Sequence, residues 1–484
     1  MCSIHDNEDG ELQNFIEDEK IDKIDDHKCR KCDVNTAAIR LRGKDFYCKD
    51  CFLIAVTHKF RATLGKSKIV KSSDIILVGY SGDPRSTTLL HLIKAGMHES
   101  VHKRLVFKIK VLFIDEGILD QQNVDKRRQN VQQIHEKVKA LGFLCFFLSL
   151  SDALDKTSNI EALKSDDYCS NLDKNNKDEY LNAILNKLPS KTSKIDFIKK
   201  LKNQLMLVAA KKLNCTKIFV GDDLHSLAVD ILSNVSLGRG SQLSSDVGFI
   251  DERDPDVMIL RPLKDFNTHE VEFYMKINSL KASDTGNWMQ LTNSGAYSSI
   301  QELTNQFVTD LETRFSGTVS TIYRTGEKMT TSINKNKNES DSCIFCNGLL
   351  DSKPLDDGIS ATDATTFSRM ISLQGLKTPV IVNNSHIEDK NVLKCDSFKP
   401  RNEKRDRTHC NASVNYCNED CEKKENSNDG DLTVKNVSNF LCYGCRLIFQ
   451  CNFDLKTVPE FILEKCKEKM YLDNMKEQIE DFLL

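Results

Sequence analysis

Short apolar runs alternate with helical patterns through the middle of the chain, and this alternation constrains the fold more than any other feature. Five runs of four to six residues are rich in Val, Ile, Leu and Phe: Ile75–Gly79, Val111–Ile114, Phe143–Leu148, Lys217–Val220 and Val257–Leu260. Runs without polar alternation are typical of parallel strands buried on both faces. The intervening stretches Arg127–Leu141 and Ile195–Leu213 have helical spacing. The sequence therefore predicts a doubly wound parallel sheet, an α/β domain over residues 73–329.

The chain has eighteen cysteines but an acidic N-terminus, which favours metal ligation or thiol chemistry over a disulfide framework. One set forms two CxxC pairs fifteen residues apart, the spacing of a zinc ribbon or knuckle: Cys29, Cys32, Cys48 and Cys51. A second set has ninety-five residues between its pairs: Cys343, Cys346, Cys442 and Cys445. Closing this longer loop costs about 4 kcal/mol, less than the roughly 10–16 kcal/mol released by a structural zinc site. We predict structural zinc at both sets.

The remaining cysteines give weaker indications. Cys145 and Cys215 are the candidate thiols for sulfur chemistry, but they lie in or beside apolar strands, which favours inert core residues. Cys410, Cys417 and Cys421 lie in a polar stretch without periodicity, and we expect them to take no part in a site.

Charge and polarity divide the rest of the chain. Residues 1–28 contain ten acidic and three basic residues, which predicts a mobile acidic tail, and residues 29–72 form a cysteine module with a basic helix. Polar stretches predict a surface insert at 156–179, a linker at 330–342 and a disordered insert at 395–439 within a C-terminal cysteine module, 343–458. Residues 459–484 resume a helical pattern. The longest apolar run, Leu141–Leu150, is half of what crosses a bilayer, so no membrane partner is expected.

A serine–glycine turn follows the first predicted strand, with Ser81, Gly82 and Asp83 before Ser86 and Thr87 at a helix start. Backbone N–H groups and hydroxyls there form a pocket for phosphate. The turn resembles the pyrophosphate loop of adenylating ATPases, SGG-x-x-S, with Asp83 in place of the second glycine. A carboxylate ~5 Å from a phosphate costs about 3 kcal/mol at an effective dielectric near ~20. Asp83 would alternatively cap the helix and fill the pocket itself, so we do not expect ATP binding.

A second landmark, Gly221–Ala228, follows the fourth predicted strand. Active pyrophosphate-loop enzymes have paired acids here that help to bind Mg²⁺, and this chain has His225 and Ser226 in those positions. Asp222 and Asp223 are a possible shifted replacement, although a turn that caps a helix is the simpler interpretation.

The segment 29–71 carries eleven basic and three acidic residues, although the net charge of the whole chain is −3. Cations beside the aromatic residues Phe46, Tyr47 and Phe60 suit a phosphate backbone and stacked bases. The predicted nucleic-acid-binding band consists of Arg40, Arg42, Lys44, Lys59, Arg61, Lys66, Lys68 and Lys71. A solvated face, or a surface for an acidic protein partner, is the alternative.

In their order, these pieces resemble the cytoplasmic tRNA 2-thiolation protein 2 family. The resemblance is carried by the first cysteine module running into Phe60-Arg61, by the altered turn Ser81–Pro84, and by the Leu441–Arg446 segment that holds the last CxxC pair. It is also carried by four segments of one block: Leu237–Gly240, Asp251–Arg253, Asp256–Leu263 and Glu270–Tyr274. It covers most of residues 29–280 and 340–450.

This resemblance implies the adenine-nucleotide alpha-hydrolase (pyrophosphate-loop) type of fold and a cytoplasmic complex that transfers sulfur to the wobble uridine, U34, of tRNAs for Lys, Glu and Gln. It implies a heterodimer with the catalytic tRNA 2-thiolation subunit, supplied with sulfur by a ubiquitin-related modifier. The catalytic cysteines and the intact ATP loop belong to that partner. This chain is then a scaffold that binds tRNA, with Arg239 and Arg261 as further contacts near the rim of the domain.

Two alternatives remain open on the sequence, and in one of them the chain is itself an enzyme. A self-sufficient ATP-dependent tRNA sulfurtransferase with diverged loops would adenylate uridine alone and depend on Cys215. A zinc-bearing adaptor without RNA contact would have its basic band covered by protein.

Overall fold

The computed structural model of the protein describes residues 27–41, 45–98, 104–155, 159–172, 177–283, 299–315, 317–329, 342–350, 432–449, 455 and 458–483. These residues belong to one compact unit made of Met1–Lys353 and Thr433–Leu484, except Leu432, which belongs to a second unit, Pro354–Leu432. Most of the predicted acidic tail, linker and 395–439 insert lies outside the described residues, as do Cys410, Cys417 and Cys421.

The N-terminal module is a small hairpin followed by a long helix. Strands β1 (Ile39–Leu41) and β2 (Asp45–Tyr47) are antiparallel, and helix α1 (Lys49–Ser67) follows directly. Phe52, Val56 and Phe60 recur at four-residue intervals, so they share one face of α1, and all three are buried. They pack into the core of the α/β domain, which fixes the module on that domain.

Six strands of the described residues form the central sheet: β3 (Ile75–Gly79), β4 (Lys108–Asp115), β5 (Leu144–Ser149), β6 (Lys217–Phe219), β7 (Ile250–Asp251) and β8 (Met258–Leu260). Their order is β5-β4-β3-β6-β8-β7, and every neighbouring pair is parallel except β7 with β8. This confirms the predicted parallel sheet and adds β7 at its edge. The chain builds outward in one direction from β3 and in the other from β6. Such a reversal leaves a crevice at the carboxyl ends of these two strands, where doubly wound folds bind ligands.

In the described part of the α/β domain, the helices around the sheet are α2 (Pro84–Met97), α3 (Val124–Ala140), α4 (Ser165–Asn171), α5 (Lys177–Lys187), α6 (Lys191–Lys212), α7 (Leu224–Ser236), α8 (Leu243–Val247) and α9 (Thr268–Ile277). On one face of the sheet, Ile76 and Val78 join the main core with side chains of α2 and α3. On the other face, α6 approaches so closely that a Cβ on Gly79 would lie 3.2 Å from Met206 Sδ.

The insert 156–179 differs from its prediction as a surface loop, because it contains α4 and the start of α5. Tyr168 and Leu172, four residues apart, are buried and anchor this segment in the main core. The few apolar residues of this segment are scattered among many polar ones, which is a weak helical pattern, and for this reason the sequence did not predict these helices.

The last helices cover α7 and form the C-terminal module. Helices α10 (Ile300–Arg314) and α11 (Thr318–Lys328) pack on α7, where Val308, Val319 and Tyr323 are buried. Helices α12 (Val434–Asn439), α13 (Tyr443–Phe449) and α14 (Glu460–Leu483) follow. Because Val437 of α12 is fully buried, the predicted disorder does not extend over residues 434–439. In the described ranges, no helix is both long and apolar enough to cross a membrane.

Candidate functional site

The first cysteine set converges in the N-terminal module. Its four Sγ atoms lie within 4.8 Å of one another: Cys29, Cys32, Cys48 and Cys51. The first pair lies in a tight turn closed by the hydrogen bond from Asp33 N to Cys29 O, and Cys51 lies in the first turn of α1. Burial raises the pKa of the Cys29 thiol, but backbone hydrogen bonds, first of all with Cys48, outweigh it and lower the pKa to about 6. The backbone around Cys29 therefore favours the thiolate form of this residue, the form that binds metal.

The second cysteine set repeats this design. Its Sγ atoms also lie within 4.8 Å of one another: Cys343, Cys346, Cys442 and Cys445. A hydrogen bond from Asn347 N to Cys343 O closes the turn of its first pair, and Cys445 lies in the first turn of α13. The residue after each first pair, Asp33 or Asn347, has a left-handed φ of 53° or 55°, which short polar side chains tolerate.

Both sets fit a single tetrahedral metal ion. Zn–S bonds of ~2.3 Å place tetrahedral sulfur atoms about 3.8 Å apart. The measured Sγ–Sγ distances are 3.9 Å for Cys32–Cys48 and 3.6 Å for Cys346–Cys442. Four thiolates complete the coordination of such an ion, so its role at either set would be structural. The structure thus brings together the cysteines that the sequence analysis paired.

Residues 238–242 of the α/β domain contact and support the C-terminal module. Gly238 has a φ of 70°, and a Cβ there would lie 3.3 Å from the ring of Tyr443 in α13. Gln242 Nε2 donates a hydrogen bond of 2.8 Å to Leu349 O, beside the first CxxC pair of the second set. Part of the block that carried the family resemblance, Leu237–Gly240, therefore supports the second cysteine set.

Four phenylalanine rings complete this junction, with centroid separations of 5.8 to 6.2 Å. We call them the C-terminal aromatic cluster: Phe197, Phe345, Phe449 and Phe461. They come from α6, from the first CxxC pair of the second set, from α13 and from α14, and all four are buried. The second cysteine set is thus joined to the domain by an apolar cluster that includes Phe345, which lies between Cys343 and Cys346.

Arg239 and Arg261 lie inside the domain, which corrects the prediction that they contact tRNA near its rim. Arg239 Nη1 is 2.6 Å from Asp196 Oδ2, and its side chain packs against Gly444 of α13. Arg261 Nη1 donates to Gly248 O at 2.8 Å, and its Nε lies 3.2 Å from Asp222 Oδ2. The two arginine side chains are only 10% and 6% exposed. A buried, paired guanidinium is not available to a phosphate.

The crevice between β3 and β6 is occupied by side chains of the chain itself. Asp83 Oδ1 accepts a 2.8 Å hydrogen bond from Ser86 N, the cap of α2, and Asp83 Oδ2 lies 3.0 Å from Arg85 Nε. Arg85 Nη1 lies 3.8 Å from Asp223 Oδ1 across the crevice. Burial raises the pKa of Asp83, but Arg85 and Ser86 outweigh it and lower that pKa. A carboxylate thus occupies the helix start that would otherwise receive a phosphate.

The rest of the turn is closed in the same way. Ser81 Oγ donates to Ser86 Oγ at 3.2 Å, and Thr87 Oγ1 lies 3.3 Å from the Tyr80 hydroxyl. Ser283 N donates to Gly82 O at 2.8 Å, so the chain passes directly over the glycine. A Cβ on Gly82 would lie 2.9 Å from the Ser283 Cβ.

The second landmark of the sequence is a helix cap, as its simpler interpretation proposed. Ser226 N donates to Asp223 Oδ1 at 2.9 Å, and Asp223 N donates to Ser226 Oγ at 3.0 Å, a reciprocal capping box. The His225 ring lies between Glu312 and Asn305 of α10, 3.1 Å from each. The hydrogen bond with Glu312 raises the pKa of His225. These side chains hold α7 and α10 together.

The candidate thiols of the α/β domain are inaccessible. Cys145 is buried in β5, and burial raises the pKa of its thiol to about 12. Cys215 is also buried, and burial raises its pKa as well. Both side chains therefore remain thiols near neutral pH, which disfavours a nucleophilic role.

Part of the predicted basic band is not a free surface. Lys59 pairs with Glu270, and Phe60 is fully buried, so both contribute to the contact between α1 and the domain. Arg40 is half-buried, 5.8 Å from the centre of the Phe46 ring, and Arg61 is also half-buried. Arg42 and Lys44 lie outside the described residues.

The exposed lysines of the band lie at the end of α1 and in the segment that leads to the amino end of β3. Lys66 and Lys68 end α1, and Lys71 N donates to Asp74 Oδ2, directly before β3. The parallel register places Lys108 beside Ile75, and Lys108 is also exposed. We call these four residues the basic edge: Lys66, Lys68, Lys71 and Lys108. The sequence analysis missed Lys108, because the pairing of two strands is not visible in either one alone.

Comparison with known proteins gives the family. A model of the cytoplasmic tRNA 2-thiolation protein 2 family matches residues 299–447, which include the second cysteine set. The protein of that name from Aedes aegypti is 30% identical over 438 residues, 82% of this chain and 93% of the relative. The Danio rerio protein is 28% identical over 503 residues, 94% of each chain. This chain belongs to the cytoplasmic tRNA 2-thiolation protein 2 family.

Among solved structures, the U34-tRNA thiolase NcsA from Methanococcus maripaludis, with its [4Fe-4S] cluster, is 18% identical to this family member. It covers 63% of this chain and 89% of its own, with a TM-score of 0.47. The fold assignment for this member of the family rests on the strand order and register given above.

Proposed function

We propose that this chain is the non-catalytic, tRNA-binding subunit of the cytoplasmic complex that puts sulfur on the wobble uridine of tRNAs for Lys, Glu and Gln. One observation carries the non-catalytic part: Asp83, Arg85 and Asp223 fill the crevice where a nucleotide would bind. A triphosphate would have to displace a carboxylate from the start of α2. The buried thiols of Cys145 and Cys215 support the same conclusion.

The basic edge supports the tRNA-binding part. Its exposed ammonium groups suit a phosphate backbone, which dominates the affinity of most RNA contacts. The five residues of β3 separate the basic edge from the crevice by about 17 Å, at ~3.3 Å per residue. RNA held at the amino edge would therefore present its uridine to another subunit. We assign that reaction to the catalytic tRNA 2-thiolation subunit, with sulfur delivered by a ubiquitin-related modifier.

We further propose one structural zinc ion at each cysteine set. In a [4Fe–4S] cluster each thiolate binds a different iron, whereas four Sγ atoms within 4.8 Å of one another suit one shared ion.

Salt-dependent tRNA binding by the complex tests the proposed interface. The variant Lys66→Ala/Lys68→Ala/Lys71→Ala should bind more weakly, and the slope of log affinity against log salt should fall by ~0.7–0.9 for each lost phosphate contact. A matched control removes three exposed lysines from α3 and α5: Lys126, Lys139 and Lys187. Equal slopes for the two triple variants would contradict the interface. Saturable binding of ATP by the isolated chain at micromolar concentration would contradict the non-catalytic assignment.

A further inference from the structure

A small cavity lies between the second cysteine set and the α/β domain. Its volume is about 30 Å³, room for roughly two water molecules. Phe345, Cys346 and Asn347 line it on the side of the cysteine set. On the domain side it is lined by two cations, Lys200 of α6 and Arg253, and by two carboxylates, Asp251 and Asp254, which are paired with Arg253 and Lys211. Two cations of the domain thus face one of the four cysteines across a space that water can fill.

The two cations pair with carboxylates, but these pairs do not use all of their N–H donors. Arg253 Nη2 lies 2.8 Å from Asp246 Oδ1, and Arg253 Nε donates to Asp251 Oδ1 at 2.8 Å. Arg253 Nη1 is buried and has no hydrogen-bond partner among the described residues. The Lys200 ammonium is 4.0 Å from Asp246, and its side chain is 19% exposed. Each cation therefore keeps hydrogen-bonding capacity beside the cavity.

A divalent ion with four thiolates carries a net charge of −2. Here three of the four cysteines, Cys343, Cys442 and Cys445, are buried, and a buried charge is costly unless cations or hydrogen bonds compensate it. We propose that Lys200 and Arg253 compensate the charge of a metal ion bound at the second cysteine set, acting directly or through water in the cavity. This inference rests on the metal ion proposed above.

The arginine beside the first cysteine set, Arg30, is placed differently from Arg253. Arg30, between the first two cysteines of that set, is 69% exposed and pairs with Asp45. The inference also gives a role to Arg253, which ends the Asp251–Arg253 segment of the block that carried the family resemblance. It predicts that the two metal ions differ in their sensitivity to charge changes in the α/β domain.

Zinc release from the full chain into a chromogenic chelator tests this inference. Lys200→Gln should release one of two zinc equivalents roughly 10–100-fold faster, the usual effect of removing a group that supports metal ligands. Lys199→Gln removes the same charge from the adjacent position of α6, where Lys199 is half-exposed and pairs with Asp230. This control should leave both release rates within about twofold of wild type, and Lys200→Arg should restore slow release.

A background carrying Cys29→Ser and Cys32→Ser identifies which equivalent belongs to the second set. Arg253→Lys tests the other cation with its charge retained, since its full removal would leave Asp246 and Asp251 without their partner. It should accelerate release less than Lys200→Gln does. Equal release from Lys200→Gln and Lys199→Gln, or faster release only from the first set, would overturn the inference. Fewer than two zinc equivalents in the wild-type chain would instead contradict the proposed metal sites themselves, and this inference with them.

Discussion

Replacing Asp83 tests whether the crevice is filled by a helix cap. Asp83→Ala removes the acceptor for Ser86 N, which costs about 1 kcal/mol for a typical cap. It also removes the partner of Arg85, and because both side chains are partly exposed, this ion pair contributes at most ~1 kcal/mol. We expect α2 to lose about 1–2 kcal/mol of local stability. Asp83→Asn keeps an acceptor oxygen for the cap, so its cost should be less than half as large.

Hydrogen exchange, measured by mass spectrometry on peptides that span the start of α2, reports this loss of local stability. Since ~1.4 kcal/mol corresponds to a tenfold change in an opening equilibrium, Asp83→Ala should accelerate exchange there by roughly 5- to 30-fold. Exchange elsewhere in the sheet serves as the internal control. Equal exchange in Asp83→Ala and wild type would refute the capping role. Protection of this peptide in the wild-type chain by millimolar ATP would show that Asp83 yields its position to phosphate.

Three further outcomes follow from the C-terminal junction. Arg239→Met leaves Asp196 buried without its cation and should cost about 3 kcal/mol, seen as a lower thermal midpoint, whereas the salt dependence of tRNA binding should not change. Gly238→Ala places a side chain at a φ of 70° against Tyr443 and should cost about 1–2 kcal/mol, with faster proteolysis of the C-terminal module. If the Gly238→Ala chain resists proteolysis as well as wild type does, the contact between Gly238 and Tyr443 does not hold the C-terminal module in place. Chelation of zinc should uncover the C-terminal aromatic cluster and increase the fluorescence of a hydrophobic dye, and unchanged emission would count against a structural metal there.

The sequence predicted the parts of the fold that depend on local pattern. The apolar runs of β3, β4 and β5 appear as strands because a strand buried on both faces has an unmistakable composition. The spacing of the first cysteine set predicted its convergence, because a fifteen-residue loop brings the two pairs together at little entropic cost. A capping role for Asp83 was also among the predictions, since a carboxylate just before a helix start has a backbone N–H group nearby as its partner.

Features that depend on pairing between distant segments were not predictable. Arg239 and Arg261 lie in segments that identify the family, and nothing local shows whether such a cation faces solvent or a buried carboxylate. Their partners, Asp196 and Asp222, are contributed by other elements. Lys108 was missed for the same reason, since its position beside Ile75, at the start of β3, depends on the register of two strands. Burial and strand register are properties of the folded sheet, and the local pattern of a single sequence does not predict them.

The paired charges in the crevice indicate that the crevice keeps a defined shape. They are not what would be expected if the chain had only lost residues that bind a nucleotide. A ligand that binds the native state stabilises it, so a crevice without a nucleotide needs another source of stability at the ends of its strands. Here the turn after β3 supplies Asp83 and Arg85, the turn after β6 supplies Asp222 and Asp223, and Arg261 follows β8. Each cation lies within 4 Å of a carboxylate, and together these ion pairs connect the carboxyl ends of three strands. Charge changes that accumulated without selection would leave some ions in this confined site without a partner, and a buried charge without a partner is costly. The pairing therefore indicates a crevice that holds its shape without ligand, as the supporting role proposed above requires.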